Sequence, residues 1–187
     1  MSERINRKDL IIETASKLFL KQGYEATSVR QIADEVGVTE AALYYHFKDG
    51  KRELLQAVFV GQMPNFKLIL DECRDSESLK DLLQRYGKAF SKVASQMTPR
   101  FSWLISEFPN LGEEKQNHIR LKILAFHDSL ADLLRALVSD ETTANSFAWT
   151  LICTSLGHGQ IFTSLDMKSV VDFQFMSLMD NLAKNLA

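Results

Sequence analysis

Three prolines and eight glycines are few breaks for 187 residues. No stretch alternates apolar and polar residues convincingly either, so short strands joined by tight turns are excluded and long helices are expected. Two cysteines, Cys73 and Cys153, stand far apart in helical patterns. With no paired Cys/His spacing they give neither a zinc site nor a disulfide framework, and ordinary reduced thiols are expected. No apolar run approaches the length of a membrane span, and the polar start Met1 to Asp9 does not read as a signal peptide. A cytoplasmic protein without membrane contact is the expectation. Catalytic signatures are missing too: there is no G-x-S-x-G elbow, no glycine-rich phosphate loop and no H-E-x-x-H. His127-Asp128-Ser129 has the letters of a triad, but consecutive residues of a helix point in different directions. No enzyme, no cofactor and no metal are therefore expected. Net charge is only −2, and residues 1–55 hold nine Lys/Arg against nine Asp/Glu. An anionic partner would have to be held by placed groups rather than by bulk charge. What is present is a 45% hydrophobic chain, enough to build a packed core.

The segment Thr27 to Phe47, TSVRQIADEVGVTEAALYYHF, carries the most information. Ser28 with Gln31 three residues on fits a capping box, Thr27 being the alternative cap. Val29, Ile32, Ala33 and Val36 then share one apolar helical face. Gly37 supplies the left-handed residue a sharp turn needs. Val38 plugs the gap, Thr39 caps a second helix, and Leu43 and Phe47 point back to the core. The result is a helix-turn-helix with the connection length of the DNA-binding type. The outward face of its second helix holds Glu40, Ala41, Ala42, Tyr44, Tyr45 and His46. Rings with polar tips suit phosphates, sugars and thymine methyls in a major groove. The alternative is a small core helix whose tyrosines fill gaps.

This stretch resembles the DNA-binding domain of the TetR (tetracycline-repressor-like) family of bacterial transcriptional regulators. The resemblance lies in Gly23-Tyr24, Thr27-Ser28, Ile32-Ala33, Gly37-Val38 and Leu43-Tyr44-Tyr45-His46-Phe47, and covers about residues 7 to 55. It implies phosphate contacts from Thr27 or Ser28, Tyr44, Tyr45, His46 and Lys51. Base edges would be read near Arg30, Thr39, Glu40, Ala41 and Ala42, with Arg30 suited to a guanine and Glu40 to a cytosine amine. One departure is the link Lys48-Asp49-Gly50-Lys51, a residue longer than the shortest family version. Lys51 is then the counterpart of the family's phosphate-gripping lysine, with Lys48 as its competitor. Arg4, Arg7, Lys8 and Arg52 are further placed cations.

The remainder reads as helical: an all-α chain of about nine helices, with a helix-turn-helix domain at 1–52 and a ligand-binding and dimerisation domain at 53–187. Helix 1 is expected over Arg7–Gln22, burying Ile11, Ala15, Leu18 and Phe19. A helix starting near Lys51 carries Leu54, Leu55, Val58 and Phe59, and Pro64 interrupts or kinks it. Further helices are predicted at about 78–97, 100–108, 113–138, 142–163 and 167–186, with breaks at Pro99, Pro109–Gly112, Ser139-Asp140 and Asp166. Thirteen of the 18 aromatic residues follow residue 56. Ordinary core packing and a lined cavity are both open to them, and the family resemblance, whose members mostly bind a small and often apolar effector here, favours the cavity. Candidate ligand-binding residues are Phe59, Tyr86, Phe90, Phe101, Trp103, Leu104, Phe126, His127 and Trp149. His158 is a further candidate, and either histidine is alternatively a satisfied or surface group. The resemblance also implies that the last two helices pair with a second copy. Phe147, Leu151, Gly157 and Ile161 on one helix and Phe173 and Met176 on the other fit that interface, whereas Gly157 and Gly159 alternatively mark a kink. The implied partners are a palindromic double-stranded DNA operator, a small-molecule effector and a second copy of the chain, in a repressor released by its effector.

Overall fold

The computed structural model describes residues 6–62 and 66–185, without the side chains of 60–62, 95–101, 163–164, 168 and 185. Arg4, Pro64 and the Phe101 side chain therefore lie outside the described residues. Nine α-helices occur among the described residues: α1 Arg7–Gln22, α2 Val29–Val36, α3 Glu40–His46, α4 Lys51–Gln62, α5 Lys67–Cys73, α6 Leu79–Glu107, α7 Glu113–Arg135, α8 Glu141–Gly159 and α9 Phe175–Asn185. No strand is found among the described residues, so the all-α expectation holds.

The chain divides into two compact units, one of residues 1–63 with 103–116, the other of 64–102 with 117–187. The expected division at 52/53 follows the DNA-binding segment along the chain. The first unit instead runs on through α4 and takes in the last residues of α6. In that unit α1 starts at an Asn6 cap whose side chain accepts from the Lys8 N–H. It buries Ile11, Ala15 and Phe19 at helical spacing. Leu54, Leu55, Val58 and Phe59 of α4 are all buried, as expected. Trp103 and Leu104 of α6 complete this core. The Trp103 ring stacks on Phe19, 6.3 Å between centroids, and tilts against Phe59 at 5.5 Å. Its indole N–H is buried with no acceptor among the described residues. These ring contacts are made without that donor being satisfied, at a cost of about 1–3 kcal/mol.

The second unit packs α5, α6 up to Ser102, α7 from Asn117, α8 and α9 around Leu82, Leu83, Tyr86, Leu130, Leu134, Leu151 and Met179. Asp140 caps α8 by accepting from the Thr143 N–H at 2.9 Å, and these bonds hold its carboxyl below the usual range. Tyr86 donates to Ser155 Oγ (2.9 Å), which donates to the Leu151 carbonyl (2.6 Å), so both buried hydroxyls are satisfied.

Three helix boundaries correct the sequence reading. The predicted break at Pro99 does not occur, because α6 runs unbroken from Leu79 to Glu107. One missing backbone hydrogen bond is outweighed by burial of Phe90 before the proline and Trp103 after it. The last helix begins at Phe175 rather than 167. Asp166 takes a left-handed conformation (φ 49°), a 3₁₀ turn spans Met167–Ser169, and Val170-Val171 lowers helix propensity before Phe175 is buried. Finally, α8 passes at Gly159 into a single π turn, Gln160–Ser164, which replaces the expected α-helix up to 163.

Candidate nucleic-acid interface

The helix-turn-helix is built by local rules that the sequence states openly. Ser28 Oγ accepts from the Gln31 N–H while the Gln31 side chain accepts from the Ser28 N–H, a complete capping box. Gly37 closes α2 in the left-handed conformation, φ 76° and ψ 37°. Thr39 Oγ1 accepts from the Ala42 N–H at 3.1 Å and so fixes the start of α3. Ile32, Ala33, Leu43 and Phe47 are buried, with α2 packed on α1 and α3 packed on α2.

Burying Leu43 and Phe47 decides which face of α3 is turned out. Glu40 and Ala41 are exposed, Ala42 is half-buried, Tyr44 is 46% exposed and Tyr45 is 82% exposed. A phenol that open loses contact with the core, and its ring leans on His46, 5.3 Å away edge to face. Arg30 on α2 is exposed as well, with Asp34 at a loose 3.9 Å. Arg30, Thr39, Glu40, Ala41, Tyr44 and Tyr45 are thus all solvent-facing on α2 and α3. The alternative of tyrosines filling a core gap does not fit Tyr45.

Other candidates have inward roles. Thr27 is 1% exposed: its hydroxyl donates to the Gly23 carbonyl at 2.8 Å and accepts from Gln22 Nε2 at 3.2 Å. Of the Thr27/Ser28 pair, Ser28 is the exposed one. Lys51 reaches back across 27 residues, donating to the Tyr24 carbonyl at 2.8 Å and the Glu25 carbonyl at 3.4 Å. Its ammonium also lies 4.1 Å from the Tyr24 ring centroid. Burial, with Glu25 nearby, pushes the Tyr24 phenol upward. Arg52 is tied to Asp49 at 2.9 Å. Lys48 is exposed, with no hydrogen bond or ion pair among the described residues. Lys8 holds its ammonium 5.6 Å from the Phe47 ring.

The link between α3 and α4 shows a contact that sequence reading missed. Gly50 has φ +58°, as a tight turn requires, but it also floors the Tyr44 ring: a Cβ at Gly50 would sit 2.8 Å from Tyr44 Cε1. The glycine was legible, whereas its partner six residues back was not.

In the second unit, Tyr86, Phe90 and Phe126 wall a cavity of about 20 Å³ together with Phe66, Ile69 and Ile152. It has room for about one water. His127 and Trp149 stack on each other at 4.5 Å, and both His127 nitrogens have partners, Asp128 at 2.9 Å and the Asn145 carbonyl at 3.3 Å. Phe59, Trp103 and Leu104 belong to the core of the first unit, not to this cavity. Of the residues matched to a dimer interface, Ile161 is 48% and Phe173 37% exposed, and Phe147 is half-buried. Leu151 is fully inside the unit, and Met176 lies against Gly87 of α6, where an added Cβ would meet its sulfur at 2.9 Å. Gly157 has open space around it, with nothing within 4 Å of an added Cβ. Among the described residues no group of His, Cys, Asp or Glu is placed to hold a metal ion. No described helix is long and apolar enough to cross a membrane.

Comparison with known proteins agrees with this geometry. Residues 11–58 match the sequence model of the bacterial regulatory proteins of the tetR family. The HTH-type transcriptional regulator YxaF of Bacillus subtilis is 37% identical over 98 residues, 51% of this chain and 49% of that protein. The negative transcriptional regulator of the biofilm operon icaADBC, IcaR of Staphylococcus epidermidis, is 29% identical over 124 residues, 66% of each chain. The matches thus span about half to two thirds of these relatives. The crystal structure of AibR, solved with isovaleryl coenzyme A and operator DNA, shares the fold with a TM-score of 0.69 at 20% identity, over 95% of this chain and 96% of that one. Residues 11–58 are thus similar to the bacterial regulatory proteins of the tetR family, and the AibR structure shares the fold over nearly the whole chain.

Proposed function

We propose that this protein is a dimeric repressor that binds a palindromic DNA operator through α2 and α3 and is released from it by a small effector held in the second unit. The observation that carries the DNA half is the solvent-facing surface of α3, with Tyr45 at 82% exposure beside Ala41 and Glu40. A helix seated by two buried residues and otherwise turned to solvent is what major-groove reading needs. Base contacts fall to Arg30, Thr39, Glu40, Ala41 and Ala42. Phosphate contacts fall to Ser28, Tyr44, Tyr45, His46 and Lys48. Two recognition helices about one DNA turn apart, roughly 34 Å or somewhat more, would explain specificity that one helix lacks. Release requires that the effector bind one spacing of those helices better than the other. The solved relative in fold that was crystallised with both isovaleryl coenzyme A and operator DNA supports the reading that such a chain takes DNA and a small molecule.

The test uses the full chain on a palindromic duplex selected from random sequence, followed by fluorescence anisotropy as small molecules are added. Release by some compounds and not others is expected. A second reading has one observation in its favour: the cavity among the core rings is only about 20 Å³. On that reading the second unit dimerises or docks a protein and takes no effector. A melting temperature unmoved by every hydrophobic compound tried would support it.

A further inference from the structure

A larger opening lies elsewhere in the second unit, sharing with the sequence candidates only Phe90, His158 and Phe173. It is a cleft of about 340 Å³, within the size range of small-molecule sites. Its walls are rings: Phe90 of α6, His158 of α8, and Phe173 and Phe175 at the approach to α9. Phe175 lies 4.8 Å from Phe90 and 5.2 Å from His158, and His158 is backed by Phe162, stacked at 4.4 Å. Phe173, also one of the residues matched to a dimer interface, keeps 37% of its surface exposed at the mouth of the cleft in the single chain.

The polar side is as informative. Among the described lining residues Asp172 is the one carboxylate and His158 the one imidazole, and Asp172 makes no ion pair among the described residues. Ser91 and Gln174, also on the lining, are neutral. Among the described lining residues an anionic ligand would meet a carboxylate with no compensating lysine or arginine. A flat cation would meet ring faces that attract positive charge and a carboxylate that completes the pair.

We infer that this cleft is a binding site for a small, lipophilic aromatic cation. The inference rests on reading the second unit as an effector domain and adds the site and the chemical class of the ligand.

The probe is 10-methylacridinium, a fluorescent permanent cation, compared with uncharged acridine and with acridine-9-carboxylate, titrated into the full chain without DNA. The cation should bind roughly tenfold tighter than acridine, from the added pairing and cation–π attraction, and the carboxylate weakest. Asp172→Asn should weaken the cation about threefold to fivefold and leave acridine unchanged. Asp172 is exposed, so this variant keeps the fold. Phe173→Leu should weaken both cation and acridine. Equal binding of cation and acridine, indifference of the cation to Asp172→Asn, or no cation binding up to about 1 mM would each overturn the assignment. Because no DNA is present, such a failure leaves operator binding untouched. Failure to select an operator, with cation binding intact, would sink the regulator reading alone.

Discussion

Replacing Lys51 by methionine separates two jobs that one lysine can have at a DNA-binding surface. The ammonium is held by the Tyr24 carbonyl at 2.8 Å and more weakly by Glu25 at 3.4 Å, over the Tyr24 ring at 4.1 Å. A charge-assisted hydrogen bond contributes about 1.5–3 kcal/mol and a partly exposed cation–π contact about 0.5–1 kcal/mol. Lys51 is only half-buried, and the Tyr24 carbonyl keeps a second donor, the Thr27 N–H at 3.1 Å. Methionine also retains the packing of most of the stem. The net loss works out at about 1–2 kcal/mol, enough to lower the melting temperature of a unit this small by about 4–8 °C per kcal/mol. The salt dependence of DNA binding gives the second readout. A lysine that neutralises a phosphate adds about 0.9 to the slope of log K against log salt. Lys48→Met should reduce that slope by about this amount per protomer and leave the melting temperature alone. Lys51→Met should lower the melting temperature and leave the slope. If Lys51→Met melts like the parent protein and loses the slope, Lys51 is a phosphate contact and the positional argument is wrong.

Gly50→Ala places a Cβ 2.8 Å from the Tyr44 ring at φ +58°, so it should cost about 1–2 kcal/mol in urea unfolding and weaken DNA binding by moving Tyr44. Arg30→Ala should relax preference at one base pair by about 1–3 kcal/mol in a competition with single-base variants; uniform weakening across all sequences would reassign Arg30 to the backbone. Burial pushes the Cys73 thiol up from 9.0 to about 12. A folded-state value above the unfolded one means that its contribution is complete below pH 9 and is lost as pH rises toward 12. Stability measured by denaturant should therefore fall over that window, and Cys73→Ala should flatten the fall. In the native protein a thiol reagent should react rapidly with the exposed Cys153 alone, and with Cys73 only on unfolding.

Features legible in the sequence were those whose parts lie within one or two turns. The limits of α1, the Ser28–Gln31 box, the left-handed Gly37 and the Thr39 cap were readable because each is a contact across about four residues or fewer. The buried stripe of α4 was readable because helical period alone sets it. Long-range choices were not. Lys51 meets the Tyr24 carbonyl 27 positions away, and no local pattern distinguishes that from a lysine waiting for phosphate. Thr27 and Ser28 look equivalent as phosphate contacts until the Gly23 carbonyl claims the threonine. Trp103 reads as a ring on a C-terminal helix, and only the three-dimensional packing puts it beside Phe19 and Phe59. Pro99 predicts a break from local cost alone, whereas α6 continues through it. The aromatic cleft is not legible in the sequence, because helical spacing over Val170 to Gln174 does not show how Asp172 and Phe173 come to share a lining.

The most direct measurement of the central claim is selection of bound DNA from a random double-stranded library by the full chain at near-physiological salt, followed by sequencing. The account predicts an enriched palindrome with half-sites about one helical turn or more apart, and its loss when Tyr45 and Ala41 are replaced. Recovery of no enriched sequence would contradict it.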